Sequence, residues 1–446
     1  MKKMLPLVLT VAGVHAAELE RMIARFAPTE LRVDTSALSA GDRKALGKLI
    51  EASRVIDDIF LTQLWSGNHE LLHKLERDKS PAGKQLLHYF WINKGPWSDL
   101  DEYTAFVPGV PPKKLPGANF YPPDMTKQEL ESWVKTLPEE KRREAEGFFT
   151  VIVRDPTGKL LVVPYSQAYR KDLERAAELL REAAAGTENK TLKTFLNLRA
   201  AAFLSNDYYA SDVAWMDLDA PLDVTIGPYE TYNDELFGYK AAFEAYVNLR
   251  DDNETAKLKF FANHMQEIEN NLPIEPRFRN PKIGAASPIR VVNEIFSAGD
   301  GNHGVQTAAY NLPNDERVVQ QKGSKRVMLK NVQEAKFKSI LMPISKRMLG
   351  PASQPDVGFE AFFTHILAHE MTHGIGPHRI EVAGRSTTPR QELKELYSAI
   401  EEAKADVTGL FMLQHLYDHG MLPGGAQSER RLYNTFLASS FRTGVR

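Results

Sequence analysis

The chain has 446 residues, of which 43% are apolar, so it is long enough for two or three domains or lobes with their own cores. Its formal net charge of −2 provides no basic surface for an acidic membrane or for nucleic acid, which excludes nucleic acid as a partner. The absence of cysteine excludes disulfides and thiol nucleophiles, so any metal site must use histidine and carboxylate ligands.

The first residues have the pattern of a short signal peptide. Two lysines precede an apolar run of about a dozen residues, and the small residues Ala16 and Ala17 follow it. The run is too short to span a bilayer, and no other transmembrane segment is predicted. Residues 1–16 are therefore predicted to direct the protein to the periplasm or outside the cell. The alternative is an apolar tail that packs on a cytoplasmic domain.

Residues 17–332 are predicted to form a mixed α/β lobe. Apolar residues at three- and four-residue intervals predict helices before Trp91, and a proline-rich ordered loop follows at 94–124. Two β-rich runs on either side of the turn at 155–158 predict a hairpin. Further helices are predicted at 126–146, 167–185, 189–204 and 252–271, and further strands at 223–232, 241–249, 288–296 and 324–332.

Residues 333–446 are predicted to form an all-helical lobe. Its helices are expected at 334–348, 359–374, 391–417 and 428–440. The expected fold class is therefore α+β and mostly helical, with a small sheet or barrel in the first lobe. A substrate cleft is expected between the two lobes.

The helix predicted at 359–374 contains His369-Glu370-Met-Thr-His373, an H-E-x-x-H motif. Histidines four residues apart lie on one face of a helix, so both imidazoles can bind one metal ion. Zn²⁺ uses such ligands, and Glu370 is placed to take a proton from an attacking water molecule. The alternative is a pair of core histidines bonded to carbonyl groups. His365, one turn earlier, suits either role and is not assigned.

A third metal ligand is not found directly after the motif. Metzincin-type sites place another histidine six positions after the second motif histidine, but that position holds Arg379. His378 comes one residue too early, so this route to a third ligand is excluded.

The helix predicted at 391–417 carries carboxylates that suit a metal site. Glu402 and Asp406 are four residues apart and face the same way. Glu402 is therefore predicted to be the third zinc ligand, and Asp406 the acceptor of the N–H of His369. Glu401 is given no role, because no carboxylate follows it four residues later. A solvated acidic face is the alternative for this segment.

These segments resemble the dipeptidyl peptidase III family of zinc metallopeptidases, particularly its bacterial members. The stretch Glu401-Glu402-Ala-Lys-Ala-Asp406 resembles the family's E-E-C-R-A-E, whose second glutamate is the third zinc ligand. The stretch Asn311-Leu-Pro-Asn314-Asp, continuing to Gln321-Lys-Gly-Ser-Lys-Arg-Val, resembles a family segment whose two asparagines bind the peptide substrate. The stretch Ile226-Gly-Pro-Tyr-Glu230-Thr-Tyr232 resembles the family's I-G-x-x-E-S-Y. The resemblance implies that substrate is bound by Asn311, Asn314, Glu230 and Tyr232. Taken alone, the asparagines are turn residues beside Pro313, and Tyr232 is a packed strand aromatic.

The chain departs from the family pattern in two ways. The family's usual zinc motif has three residues between its glutamate and second histidine, whereas this chain has two. The family also places further basic and histidine substrate contacts well after the glutamate helix, whereas this chain ends at Arg446. A C-terminally short chain is therefore expected, which holds zinc but lacks donors for the oxyanion and cleaves poorly.

The resemblance implies one Zn²⁺ ion and hydrolysis of peptide bonds near the N-terminus of oligopeptides, with Glu370 as general base. A buried substrate ammonium group needs carboxylate or amide oxygens, for which Glu230, Asn311 and Asn314 are the candidates. Two alternatives stay open: a zinc-holding, peptide-binding protein with weak or no peptidase activity, and a zinc hydrolase of a non-peptide amide or ester. The oligomeric state is not predicted.

Overall fold

The computed structural model describes residues 17–283 and 288–444. The predicted signal peptide, residues 1–16, lies outside the described residues. The described residues form an α+β fold that is mostly helical, with one five-stranded sheet and three two-stranded sheets, so the predicted fold class is confirmed. Within these ranges, no helix is both long enough and apolar enough to pass through a bilayer.

The chain divides into two compact units, each built from separate stretches of sequence. Among the described residues, the first unit contains 17–250 together with Glu294–Thr307 and Asn311–Ser324. The second unit contains Asp251–Asn293, Ala308–Tyr310 and the residues from Lys325 onwards. The single boundary predicted near residue 333 differs from this division, because the helix that follows Arg250 packs into the core of the second unit.

The first unit is built on long amphipathic helices. Ala40–Leu64 packs against Arg170–Gly186, and each helix buries one face of regularly spaced apolar side chains. The predicted hairpin is confirmed, with strands Thr150–Arg154 and Leu160–Pro164. Other helices described here are Asn68–Arg77, Pro81–Asn93, Lys127–Thr136, Glu139–Glu146, Tyr165–Ala168, Lys190–Ser205, Tyr209–Met216 and Glu316–Lys322.

The strands Leu222–Glu230 and Ala242–Arg250 form a buried antiparallel pair in the first unit. In their register Glu244 lies opposite Gly227, and Glu230 lies opposite Ala242. Because side chains alternate along a strand, Glu230 and Glu244 are diagonal neighbours on one face. The short strands Trp97–Ser98 and Thr104–Ala105 pair with each other, and the strand Ala309–Leu312 neighbours Lys325–Leu329 in the five-stranded sheet.

In the second unit, residues 289–292 of the strand Ile289–Gly299 pair in parallel with residues 326–329 of the strand Lys325–Leu329. The core of this unit collects buried side chains from three helices: Asp252–Asn271, Phe359–Thr372 and Tyr397–Asp418. We call Phe359–Thr372 the motif helix and Tyr397–Asp418 the glutamate helix. Further helices are Lys330–Lys336, Met342–Met348, Pro389–Leu393 and Ala426–Gly444.

The prediction that everything after Gln333 is helical is wrong in two places. Strands Ile380–Val382 and Arg385–Thr387 form a hairpin, whose turn is made by two residues with positive φ, Ala383 at 50° and Gly384 at 77°. The helix predicted at 391–417 is also interrupted, because Lys394 has a φ of 51° and the glutamate helix starts only at Tyr397.

Candidate metal centre

The motif helix carries the two histidines at the edge of an apolar core. Its buried face places Phe363, Leu367 and Met371 in the core of the second unit. His369 and His373 lie on the adjoining face and are half-buried, and His373 is the residue at which the helix ends. The helix therefore presents both imidazoles at a boundary between core and solvent.

Small residues bring the glutamate helix close to the motif helix. Ala405 is completely buried, and the hydroxyl group of Thr372 donates a hydrogen bond to its carbonyl oxygen at 3.1 Å. A Cβ atom at Gly409 would lie 3.0 Å from the backbone nitrogen of His369, so the two backbones are nearly in contact. This close packing places the carboxylates of the glutamate helix beside the imidazoles.

Each motif histidine is bonded through its Nδ1 atom to a different carboxylate. Nδ1 of His369 lies 2.8 Å from Oδ1 of Asp406, and Nδ1 of His373 lies 3.0 Å from Oε1 of Glu401. A carboxylate only accepts hydrogen bonds, so each Nδ1 carries the proton. In a neutral imidazole with its proton on Nδ1, Nε2 carries the lone pair that can bind a metal ion.

The free Nε2 atoms point toward Glu402. Oε2 of Glu402 lies 3.2 Å from Nε2 of His369, and Oε1 lies 3.9 Å from Nε2 of His373. Two ligands of a tetrahedral zinc ion are about 3.4 Å apart, so these separations and donor types fit such an ion. The ligand atoms of His369, Glu370 and His373 also lie within 4.8 Å of one another. The carboxylate of Glu402 is 63% exposed, which leaves room for a further ligand.

Glu401 is a site residue that the sequence reasoning missed. Besides His373, its carboxylate contacts Nζ of Lys404 at 2.7 Å, and Lys404 donates to the carbonyl oxygen of Ile375 at the end of the motif helix. Although burial raises the pKa of Glu401, the hydrogen bonds from Lys404 and His373 leave that pKa below its ordinary value. The two helices pack antiparallel, so His373, one turn after His369, lies opposite Glu401, about one turn before Asp406. This packing, and not the spacing along one helix, is what indicates Glu401.

Glu370 lies beside the histidines and forms an ion pair with Arg326 of the strand Lys325–Leu329. Both side chains are half-buried. Burial lowers the pKa of the Arg326 guanidinium, while the nearby carboxylate of Glu402 opposes that change. Arg326 lies in the family-like stretch 321–327, but no role was predicted for it.

His365 is a core histidine. Its Nε2 atom lies 3.1 Å from the carbonyl oxygen of Asp406, and its ring packs against that of Phe436. Burial lowers the pKa of His365, which favours the neutral ring. His365 therefore bonds to the backbone of the glutamate helix and helps to hold that helix in place.

The residues predicted to bind substrate lie in the first unit. The side-chain amide of Asn314 donates to the carbonyl oxygen of Tyr229 at 2.8 Å, which places Asn314 next to Glu230. Asn311 is exposed on the strand Ala309–Leu312. Tyr232 is 82% exposed, so it is not the packed strand aromatic that its sequence position alone suggests.

Glu230 belongs to a group of carboxylates that we call the acidic cluster: Glu230, Glu244 and Asp300. Burial, followed by the charge of Asp300, raises the pKa of Glu230 to about 7. Burial and both neighbours also raise the pKa of Glu244, whose Oε1 atom has no hydrogen-bond partner among the residues described. Asn233 donates to Asp300 at 2.7 Å. A cation bound here would relieve the repulsion within the cluster.

Comparison with known proteins places these features in a family. Residues 157–383 match peptidase family M49. The matched range is more than half of the chain and includes Glu230, Asn311, Asn314 and both motif histidines, and it ends before Glu402.

Solved structures of two bacterial proteins are similar to this chain. The dipeptidyl-peptidase III from Corallococcus sp. strain EGB is 58% identical, with a TM-score of 0.77 over 96% of this chain and 79% of that one. The DPP III from Caldithrix abyssi is 49% identical, with a TM-score of 0.87 over 95% of this chain and 80% of that one.

A curated relative is Nudix hydrolase 3 from Arabidopsis thaliana, which is 43% identical over 478 residues. The alignment covers 96% of this chain but only 61% of that protein, so the chain spans well under two thirds of the curated relative's length. The family match and the two solved structures confirm the resemblance found in the motifs: the chain belongs to peptidase family M49, together with the dipeptidyl-peptidase III proteins.

Proposed function

We propose that this chain acts as a zinc-dependent dipeptidyl peptidase, which hydrolyses peptide bonds near the N-terminus of oligopeptides. One observation carries the proposal: the Nε2 atoms of His369 and His373 both point toward Glu402, while Asp406 and Glu401 occupy both Nδ1 atoms. Family membership and the similarity to two dipeptidyl-peptidase III structures support it.

The zinc ligands in this proposal are His369, His373 and Glu402. When bound, zinc polarises the scissile carbonyl group and acidifies the attacking water molecule. Asp406 and Glu401 hold the two rings in the tautomer that leaves Nε2 unprotonated. The chain's own contribution is thus a rigid set of three donors on two packed helices.

Glu370 is the general base and then the general acid. Its carboxylate takes the proton that water loses as the new C–O bond forms at the scissile carbon. The same proton then passes to the amide nitrogen as the C–N bond breaks, so a carboxylic acid and an amine leave. Its position next to His369 and His373 suits this transfer.

The acidic cluster is the proposed site for the substrate's N-terminal ammonium group. Three carboxylates, one of them completely buried with an unpaired oxygen, favour a cationic ligand. Asn314 beside Glu230 and the exposed side chains of Asn311 and Tyr232 are the proposed neighbouring contacts. Binding of a free amino terminus is what separates an exopeptidase from an endopeptidase.

The test is hydrolysis of a dipeptidyl-naphthylamide, with and without a zinc chelator, in the parent chain and in Glu370→Gln. We expect chelator-sensitive turnover, a loss of at least roughly 10²-fold in Glu370→Gln, and no cleavage of the N-acetylated substrate. Glu360→Gln is the matched control, because Glu360 lies on the motif helix with a side chain that is 75% exposed. Turnover that resists chelation, or an unchanged rate in Glu370→Gln, would overturn the mechanism. Cleavage restricted to non-peptide amides or esters would instead identify a different substrate class.

A further inference from the structure

A cationic side chain lies against the proposed general base. Arg326 forms an ion pair with Glu370, and both side chains are half-buried. Arg326 has no role in the proposed peptidase mechanism, although it is the cationic partner of Glu370, which takes up and releases a proton in that mechanism. An arginine in this position keeps its charge at any physiological pH.

The fold fixes where Arg326 lies. Its strand is paired in parallel with residues 289–292, and its backbone N–H donates to the carbonyl oxygen of Pro288 at 2.9 Å. Met328, two positions later on the same strand face, is buried in the core that holds Leu367 of the motif helix. Arg326 precedes Met328 by two residues on the strand, and Glu370 follows Leu367 by about one turn of the motif helix. Arg326 therefore lies opposite Glu370. A paired strand therefore holds this guanidinium, which makes its position reproducible.

Arg326 is also within electrostatic reach of Glu402. Its guanidinium therefore contacts the proposed base and lies within the electrostatic range of the proposed third zinc ligand. A guanidinium has five N–H donors in a fixed plane, and one carboxylate contact leaves several of them for another acceptor.

Attack on a peptide bond turns the carbonyl oxygen into an oxyanion next to these two carboxylates. A fixed N–H donor at that point stabilises the transition state, which raises kcat by about 10²–10³-fold. An arginine does so without giving up a proton, since it acts as a charge-assisted donor. The sequence alone offered no residue for this task.

We infer that Arg326 is a further catalytic residue, whose guanidinium donates hydrogen bonds to the oxyanion formed at the scissile carbonyl. The inference rests on the proposed peptidase function. With no substrate bound, the guanidinium is paired with the carboxylate of Glu370. During the reaction its remaining N–H groups bind the new negative charge, while the carbonyl carbon is bonded to both oxygens.

The experiment compares Arg326→Met, Arg326→Lys and the control Arg379→Met, in which an exposed arginine after the motif helix is changed. Zinc content, kcat and KM are measured, together with the affinity of a phosphinic peptide, whose tetrahedral anionic group imitates the oxyanion. We expect full zinc content in all variants, and kcat lower by about 10²–10³-fold in Arg326→Met with little change in KM. The phosphinic peptide should lose affinity by a similar factor, and Arg326→Lys should recover part of both losses.

Three outcomes would overturn this inference. One is an unchanged kcat in Arg326→Met, and another is a lower kcat with undiminished affinity for the phosphinic peptide, which would mean that Arg326 only positions Glu370. Loss of zinc in Arg326→Met would also contradict it, because Arg326 would then support the metal ligands. If the parent chain binds zinc and peptide but has no turnover, the proposed function fails instead, and the two failures are therefore distinguishable.

Discussion

At the scale of single residues, the two imidazoles are held by carboxylates that differ in exposure. Asp406, the partner of His369, has a side chain that is 46% exposed, whereas Glu401, the partner of His373, is 20% exposed. Water screens the first pair more than the second. Glu401 is further held by Lys404, so it is the more rigid of the two acceptors.

We therefore predict that Asp406→Asn and Glu401→Gln each weaken zinc binding, by about 10–100-fold, because each replaces a charged acceptor of an Nδ1 proton. The larger loss is expected for Glu401→Gln. Zinc affinity is measured by competition with a chromophoric chelator at fixed pH. Asp418→Asn, at the exposed far end of the glutamate helix, is the control and should bind zinc as the parent does. Equal zinc affinity in all four proteins would show that neither carboxylate orients a ligand.

Sequence spacing predicted the pairs of site residues in which both members lie on the same helix. His369 and His373 share a face, and so do Glu402 and Asp406, because both pairs are four residues apart. The partners of Glu401 and Arg326 depend on how two helices and a strand pack together. Spacing along one element contains no such information, so these two residues were missed.

At the scale of elements, the contact between the motif helix and the glutamate helix depends on a glycine. A Cβ atom at Gly409 would lie 3.0 Å from the nitrogen and 3.2 Å from the Cα of His369, both backbone atoms that cannot move aside easily.

The helix ends and the apolar face of Asp252–Asn271 were predictable from periodicity. The turn at Lys394 was not, because a left-handed conformation at a lysine leaves no mark in the sequence.

We predict that Gly409→Ala destabilises the chain by about 1–3 kcal/mol and weakens zinc binding, because it pushes the two ligand-bearing helices apart. Gly47→Ala is the matched control: Gly47 also lies within a helix, but a Cβ atom there has nothing within 4 Å. The control should stabilise by about 0.5–1 kcal/mol through helix propensity alone. Urea unfolding measures both, and a Gly409→Ala variant as stable as Gly47→Ala would refute this account of the contact.

At the scale of the whole molecule, length and composition predicted two or three lobes, and the structure divides into two compact units whose boundaries differ from the predicted one. The strand Ile289–Gly299 begins in the second unit and continues into the first, so no single cut along the sequence separates them. The three proposed zinc ligands nevertheless all lie in one unit. Metal binding should therefore stabilise that unit, by about 2.7 kcal/mol when free zinc is at a hundred times its dissociation constant.

The most direct test of the central claim, that His369, His373 and Glu402 bind one metal ion, is the zinc content and zinc affinity of the parent chain and of Glu402→Ala. Glu360→Ala, on the exposed side of the motif helix, is the control. We predict one zinc ion per chain in the parent and in the control, and no retained zinc in Glu402→Ala under the conditions that saturate the parent. Full zinc occupancy at unchanged affinity in Glu402→Ala would contradict the claim.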